Sequence, residues 1–144
     1  MSGMKYLVVL FMLVSSAGFA ADKRFGNVVV SEVTSIYDAD TFRVNIKSWP
    51  DIIGSRMSVR VMGVDAPEIR GKCESEKKAA RLAKQFTVEF LRSGSYIELR
   101  NIKRGKYFRI LAEVYVDGIN LADALILAKH GRPYDGGKRS GWCH

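Results

Sequence analysis

The chain has 144 residues and carries 23 lysines and arginines against 15 aspartates and glutamates, which gives a formal net charge of +8. This length favours one domain with a hydrophobic core of its own, and two histidines with two cysteines that lack CxxC spacing exclude an ordinary zinc site. The positive charge favours a polyanionic partner, most simply nucleic acid, over an anionic membrane surface.

Residues 1–20 have the composition of a secretory signal peptide. Lys5 precedes an apolar run over residues 6–14, and a segment rich in small side chains then places Gly18 at position −3 and Ala20 at position −1 of a cleavage site. The apolar run is shorter than the roughly 20 residues of a spanning helix, which disfavours the alternative of a membrane anchor. We therefore expect a secreted or periplasmic protein with no stable membrane association after cleavage. Its mature domain, 21–144, carries a net charge of 22 − 15 = +7.

Cys73 and Cys143 are the only cysteines in the chain. In an oxidising compartment two cysteines most simply form one disulfide, with two free thiols as the alternative. Such a bond would close a loop of about 70 residues and stabilise the fold by on the order of 4 kcal/mol. It would tie down tail residues 135–141, whose composition is that of a flexible segment.

The first half of the mature chain predicts three strands. The first is a β-branched run over 28–36. The second and third are alternating apolar and polar residues over 42–46 and 59–62. A turn is predicted at 37–40 and a loop beginning at 49–51.

The second half predicts a helix, two strands and a second helix. Apolar residues recur at helical spacing over Glu74–Ser93. Strands are predicted at 97–99 and 108–116, the latter followed by a tight turn at Asp117-Gly118, and the second helix runs from Asn120 to near residue 131. The prediction is thus a mainly β, α+β fold, with five strands, a helix between the third and fourth, and a C-terminal helix. That is the order of an OB-fold barrel, although periodicity alone also allows a sandwich.

Three ordered blocks of residues resemble the staphylococcal nuclease-like (thermonuclease) family. The blocks are Asp38-Ala39-Asp40-Thr41, the segment from Arg60 through Asp65-Ala66-Pro67-Glu68, and Lys106-Tyr107-Phe108-Arg109 continuing to Gly118. The resemblance spans about residues 28 to 134 and selects the barrel over the sandwich. It implies a metal-dependent, sugar-nonspecific endonuclease that hydrolyses phosphodiester bonds in DNA and RNA and leaves 3′-phosphate ends.

The resemblance also implies a cation site. It places Asp40 and Asp65 on the metal through their side chains and Ala66 through its carbonyl oxygen. A hard divalent cation takes such oxygen ligands together with water. The resemblance implies Ca²⁺, whereas the residue chemistry alone leaves Mg²⁺ and Mn²⁺ open.

The same resemblance implies the catalytic groups. Glu68 would be the general base that activates a water for attack on phosphorus. Arg60 and Arg109 would bind the phosphate oxygens and stabilise the charge of the pentacoordinate transition state. Lysine would be a poorer substitute for either arginine, because it lacks the planar fork.

Three further residues would contact the substrate, and two positions depart from the family pattern. Lys106 and Tyr107 would touch a terminal phosphate, and Tyr134 would stack near the base or sugar. Ala39 replaces a glycine, so either the turn requires no positive φ there or it tolerates a small cost. Phe108 also replaces a glycine and shares the parity of the buried residues, so we expect it in the core, with the next residue on the active face.

Each charged residue also has an ordinary interpretation as a turn former, a strand ion pair or a loop acid. Trp49 and Trp142 are interpreted as packing or rim residues, although an exposed tryptophan could stack on a base. The second candidate function is a non-catalytic OB-fold module that binds single-stranded nucleic acid, and the third is a structural protein of the envelope. The joint presence of five charged groups favours the enzyme; these are Asp40, Arg60, Asp65, Glu68 and Arg109. We expect a monomer. The sequence leaves open the preference for DNA or RNA and the biological role.

Overall fold

The structure is a computed structural model that describes residues 22–143. The predicted signal peptide, residues 1–20, lies outside this range. Within the range, no helix combines the length and the apolar character needed to cross a bilayer.

Nine strands and three helices follow one another along the described part of the chain. In chain order they are β1 (Val28–Val29), β2 (Glu32–Asp38), β3 (Thr41–Asn45), α1 (Asp51–Gly54), β4 (Met57–Val61), β5 (Gly63–Asp65), α2 (Glu74–Ser93), β6 (Ile97–Arg104), β7 (Arg109–Val116), β8 (Ile119–Asn120), α3 (Leu121–Leu127) and β9 (Arg132–Tyr134). Seven of the strands form one sheet, while β5 and β9 form a separate pair.

The larger sheet closes on itself, because one segment near the start of the described chain forms both of its ends. Its strand order is β1-β6-β7-β4-β3-β2, with β8 paired to β7 and with β4 and β7 parallel. The two ends of this path belong to one segment, because the N–H of Val30 donates to the carbonyl of Ile97 at 2.9 Å and the N–H of Ser31 donates to the carbonyl of Asn45 at 2.8 Å. The segment therefore changes partner from β6 to β3, and the sheet takes the form of an OB-fold barrel.

The predicted fold is confirmed, although the strand count differs. The predicted strand over 28–36 is divided into β1 and β2 by the change of partner. After β4, Gly63 adopts φ +88°, which favours glycine, and β5 leaves the sheet to pair with β9. The predicted loop at 49–51 leads into the short helix α1. Helix α3 ends at Leu127, earlier than predicted, and Lys129 just beyond it adopts φ +61°.

The barrel interior is filled by alternate side chains of three neighbouring strands. Each of these side chains is at most 2 % exposed: Phe42, Val44, Val59, Val61, Ala112 and Val114. Successive strand residues point to opposite faces, so Arg60, between two buried valines, points out of the interior. Helix α2 covers the barrel with Ala83 and Leu91.

Cys73 and Cys143 are joined in a disulfide, as predicted, with their Cα atoms 6.0 Å apart. Cys73 is the N-cap residue of α2, so the bond fastens the C-terminal tail to the start of the longest helix. We expect the denatured, unreduced mature protein to show no reactive thiol, and reduction to lower the free energy of unfolding by on the order of 4 kcal/mol. Thiol titration and denaturation with and without reductant check this, and two reactive thiols before reduction would contradict the bond.

Candidate active site

Two buried aspartates share one arginine close to the junction of β4 and β5. Asp40 lies in the turn after β2 and Asp65 ends β5, and their exposed fractions are 4 % and 3 %. The Nη1 of Arg60 is 2.6 Å from Oδ2 of Asp40, and its Nη2 is 3.4 Å from Oδ1 of Asp65. Arg60 also donates to the carbonyl of Val64 at 3.2 Å. Two like charges are thus buried near each other, an arrangement that is costly without a compensating cation.

Burial and the neighbouring groups have opposing effects on the pKa of Asp40. Burial raises the pKa of Asp40 and the charge of Asp65 adds to the rise, while the charge of Arg60 and hydrogen bonds from Ala66 and Thr41 lower it. The N–H of Ala66 donates to Oδ2 at 2.8 Å, and the hydroxyl of Thr41 donates to Oδ1 at 3.1 Å. These donors fix the orientation of the carboxylate.

Helix α2 anchors the turn that carries Asp38 and Asp40. The hydroxyl of Thr87, which is fully buried, donates to the carbonyl of Ala39 at 2.7 Å. Ala39 is not among the described residues with positive φ, so of the two alternatives for this turn, the one without positive φ is confirmed. On its other side, Oδ1 of Asp38 accepts the N–H of Ile69 at 2.8 Å. Burial raises the pKa of Asp38, against the effect of the Ile69 hydrogen bond.

Replacing Thr87 by valine is expected to destabilise the fold by about 1–3 kcal/mol, because the carbonyl of Ala39 would be left buried without its donor. Thr34→Val is the matched control. The Oγ1 of Thr34 is buried and has no hydrogen-bond partner among residues 22–143, so its loss should be neutral or stabilising. Chemical denaturation of both variants checks the prediction, and equal stabilities would contradict it.

The first turn of α2 holds the loop that carries Glu68. The carboxylate of Glu76, which is 7 % exposed, accepts the N–H of Lys72 at 2.9 Å and the N–H of Glu68 at 3.4 Å. A Cβ at Gly71 would lie 2.5 Å from the Glu76 side chain, so only glycine lets the loop approach so closely. The sequence pattern indicates Glu76 as a first-turn acid but gives no sign of this role.

The C-terminal tail crosses the carboxylates. The Nε of Arg139 is 2.6 Å from Oδ1 of Asp65, and its Nη1 is 2.5 Å from Oε1 of Glu68. The indole N–H of Trp142 donates to Oδ2 of Asp65 at 3.2 Å. The guanidinium of Arg132 lies 3.7 Å from the ring centroid of Trp142. Both side-chain oxygens of Asp65 are therefore bound by donors of the tail.

Sequence reasoning missed Arg139, and for Trp142 it considered packing, a rim position or stacking on a base, but not a hydrogen bond to Asp65. Burial by itself would lower the pKa of Arg139, but the carboxylates of Glu68 and Asp65 outweigh burial and raise it. The only signal in the sequence was the disulfide to Cys143, which brings the tail to the segment just after Glu68.

The arginine of the third family block lines a groove that does not include the carboxylates. Arg109 begins β7 beside Ser58, and its side chain lines a groove with Trp49. Its Nε is buried and has no hydrogen-bond partner in the part of the chain that the structure describes. Lys106 and Tyr107 lie in the turn between β6 and β7, where Tyr107 is 92 % exposed.

The predicted burial of Phe108 is wrong, because its side chain is 73 % exposed. Tyr107 and Phe108 adopt φ values of +55° and +54° in the β6–β7 turn, which the N–H of Gly105 closes by donating to the carbonyl of Arg109 at 2.8 Å. Two successive residues with positive φ interrupt the alternation of the strand, so Phe108 does not share the parity of the core residues of β7.

Tyr134, in contrast, lies beside the carboxylate cluster. It pairs with Gly63 across β9 and β5, and its ring centroid is 6.0 Å from the guanidinium carbon of Arg60. Its hydroxyl donates to the carbonyl of Gly137 at 2.7 Å, which holds the start of the tail. A groove lined by Arg60, Leu111 and Tyr134 opens at this point.

The aspartate pair has the donor chemistry of a site for a hard divalent cation. Asp40 and Asp65 offer only oxygen, and each already binds a guanidinium. A second group of possible ligands, Cys73, Glu76 and Cys143, has its ligand atoms within 4.8 Å of one another. Its two sulfurs are bonded to each other, however, and a metal ligand must be a free thiolate. This second group is therefore excluded as a cation site.

Comparison with known proteins identifies a family that this chain matches. A family model described as "Staphylococcal nuclease homologue" matches residues 58–133. This range includes Arg60, Asp65, Glu68 and Arg109, while Asp40 lies before it and the tail lies after it. No curated protein matches the chain.

Proposed function

The chain belongs to the staphylococcal nuclease homologue family, a family of nucleases that act on nucleic acids. We propose that it is an exported, Ca²⁺-dependent endonuclease that hydrolyses phosphodiester bonds in both DNA and RNA. The observation that carries the proposal is the convergence of Asp40, Asp65, Arg60 and Glu68 on one cluster. Asp40 lies in a turn outside the range that the family model matches, and the fold brings it to the other three residues.

Asp40 and Asp65 would hold the cation through their carboxylates, with the main-chain carbonyl of Ala66 as a third ligand. When bound, the cation would supply positive charge to polarise the phosphate and offset the negative charge of the transition state. Members of this family are typically metal-dependent. Ca²⁺ accepts an irregular set of oxygen ligands completed by water, which suits two aspartates and one carbonyl.

Glu68 would be the general base for this reaction. Its side chain is 44 % exposed, so water reaches the carboxylate, while the hydrogen bond from its N–H to Glu76 fixes the main chain. It would take a proton from the water that attacks phosphorus. The 5′ P–O bond would then break and leave a 3′-phosphate end.

The two arginines would bind the phosphate. In the parallel pair of β4 and β7, Arg60 lies opposite Leu111 and Arg109 opposite Ser58, so both arginines start from the same face of the sheet, two positions apart. The buried, unpaired Nε of Arg109 is a donor that a phosphate oxygen would satisfy. Lys106 and Tyr107 are exposed and accessible to a terminal phosphate.

Two observations support export and a nucleic-acid substrate. A disulfide persists in oxidising compartments and is rare in reducing ones, and Cys73 and Cys143 form one here. The net charge of +8 favours association with a polyanion.

The second candidate, a module that binds single-stranded nucleic acid without cleaving it, is favoured by one observation. Tyr107 and Phe108 are exposed aromatic residues at the tip of a turn that also carries Lys106. Aromatic residues beside cations provide the stacking and charge that bind single strands.

Incubation of the mature protein, residues 21–144, with single- and double-stranded DNA and RNA tests the proposal. We expect cleavage of each substrate in Ca²⁺, 3′-phosphate products, and no cleavage in chelator. Parallel preparations of the Glu68→Gln variant control for contaminating nucleases. Full activity in chelator would contradict the metal assignment, and binding without cleavage in Ca²⁺, Mg²⁺ or Mn²⁺ would favour the second candidate.

A further inference from the structure

Asp65, a proposed cation ligand, is bound by the chain's own C-terminal tail, residues 135–143. Arg139 is 2.6 Å from one side-chain oxygen of Asp65, and Trp142 donates to the other at 3.2 Å. Arg139 also binds Glu68 at 2.5 Å. The guanidinium thus lies between the two carboxylates that the proposed reaction uses.

We infer that Arg139 sets the cation affinity of the site, because the tail competes with the divalent cation for Asp65 and must withdraw as the cation binds. The inference rests on the proposed cation site and goes beyond it, since it assigns a function to a tail that lies outside the family match. In the resting molecule Arg139 provides the positive charge that the cation later supplies.

The charges of the cluster support competition between Arg139 and a divalent cation for Asp65. Asp40 and Asp65 are balanced by Arg60, and Asp65 and Glu68 by Arg139. A divalent cation bound to Asp65 would lie within a few ångströms of the Arg139 guanidinium, and the repulsion of like charges at that distance is strong in a partly buried site. Cation and guanidinium therefore exclude each other from Asp65.

The tail can dissociate from the carboxylates and bind them again. The Arg139 side chain is 39 % exposed, so it can move into solvent without disturbing the core. The tail contains three glycines, at positions 136, 137 and 141, which permit such a movement. The disulfide at Cys143 keeps Arg139 at a high effective concentration near the carboxylates, so the arginine rebinds when the cation leaves.

The affinity for Ca²⁺ alone, measured by calorimetry on the disulfide-bonded mature protein, tests the inference. Arg139→Ala should bind Ca²⁺ at least about tenfold more tightly than the wild type, because the competing charge is gone. Lys138→Ala is the matched control, since it removes the same charge at the preceding residue. The side chain of Lys138 is exposed and makes no ion pair among residues 22–143. It should stay within about twofold of the wild type.

A second variant and the fluorescence of Trp142 test whether the tail moves when Ca²⁺ binds. Trp142→Phe removes the indole N–H but keeps a ring against Arg132, and it should bind Ca²⁺ about a few-fold more tightly. In a Trp49→Phe background Trp142 is the only tryptophan. Ca²⁺ should then shift its emission to longer wavelength and increase its quenching by acrylamide as the tail withdraws.

Three results would overturn the inference: Arg139→Ala binding Ca²⁺ no more tightly than Lys138→Ala, emission of Trp142 that Ca²⁺ does not change, or no Ca²⁺ binding in any variant. A role of Arg139 as a phosphate ligand would give the first of these. Because the measurements require no turnover, a protein that binds Ca²⁺ as expected but cleaves nothing would refute the proposed function alone. Ca²⁺-dependent cleavage with equal affinities would refute only the inference.

Discussion

Replacing Glu68 by glutamine is expected to lower the rate of phosphodiester cleavage by about 10² or more, as for the loss of a general base, while nucleic-acid binding changes by no more than a few-fold. The main chain of this loop is held by the Glu76 carboxylate and by the close approach at Gly71. The substitution therefore removes a proton acceptor and the charge paired with Arg139, but it keeps these main-chain contacts of the loop.

Single-turnover cleavage and anisotropy of a labelled oligonucleotide separate the two effects on Glu68→Gln. Glu74→Gln is the matched control, because its side chain is 85 % exposed at the start of α2 and pairs only with Lys77 among the described residues. It should cleave at the wild-type rate. Near-wild-type cleavage by Glu68→Gln would exclude Glu68 as the base.

Replacing Arg60 by alanine is expected to lower the free energy of unfolding by about 3–5 kcal/mol, the cost of leaving buried charges without their partner. Arg60 is the cation closest to Asp40, at 2.6 Å, and it also contacts Asp65. Its own side chain is only 11 % exposed, so water would replace it poorly. The same change should abolish most cleavage, because a phosphate-binding guanidinium is lost.

Urea denaturation without divalent cations measures the effect of Arg60→Ala. Arg60→Lys keeps the charge but not the planar fork, so its stability should be intermediate. Lys77→Ala breaks an exposed pair with Glu74 on α2 and should cost less than about 1 kcal/mol. Equal stability of Arg60→Ala and Lys77→Ala would show that the buried cluster does not depend on the guanidinium.

Much of the fold could be predicted because its signals are local. Alternation identified the strand cores, helical spacing identified α2 with its end at Ser93, and the two cysteines identified the disulfide. The proximity of Asp40 and Asp65, however, came from the family resemblance. Nothing in the spacing of these two residues indicates that the turn after β2 meets the end of β5.

The remainder could not be predicted, because it depends on contacts between distant segments. A glycine-rich tail is typical of a flexible segment, and only the folded chain shows that Arg139 and Trp142 reach Asp65. Alternation predicts burial only within a strand, so it failed for Phe108, where positive φ interrupts the strand. The partner change between Val30 and Ser31 likewise depends on β6, which lies far along the chain.

The path of the sheet determines the order in which the site can assemble. The hairpins β2–β3 and β6–β7 join neighbouring segments, whereas β4 needs β7 and β1 needs β6, which follow only after α2. Pairing between distant segments is slower than local pairing, because it costs more loop-closure entropy. A chain that crosses a membrane from its N-terminus, as the proposed export requires, would deliver Asp40, Arg60 and Asp65 before the strand that completes their sheet. On the proposed export, the carboxylate cluster would therefore be completed only after β6 and β7 had crossed the membrane.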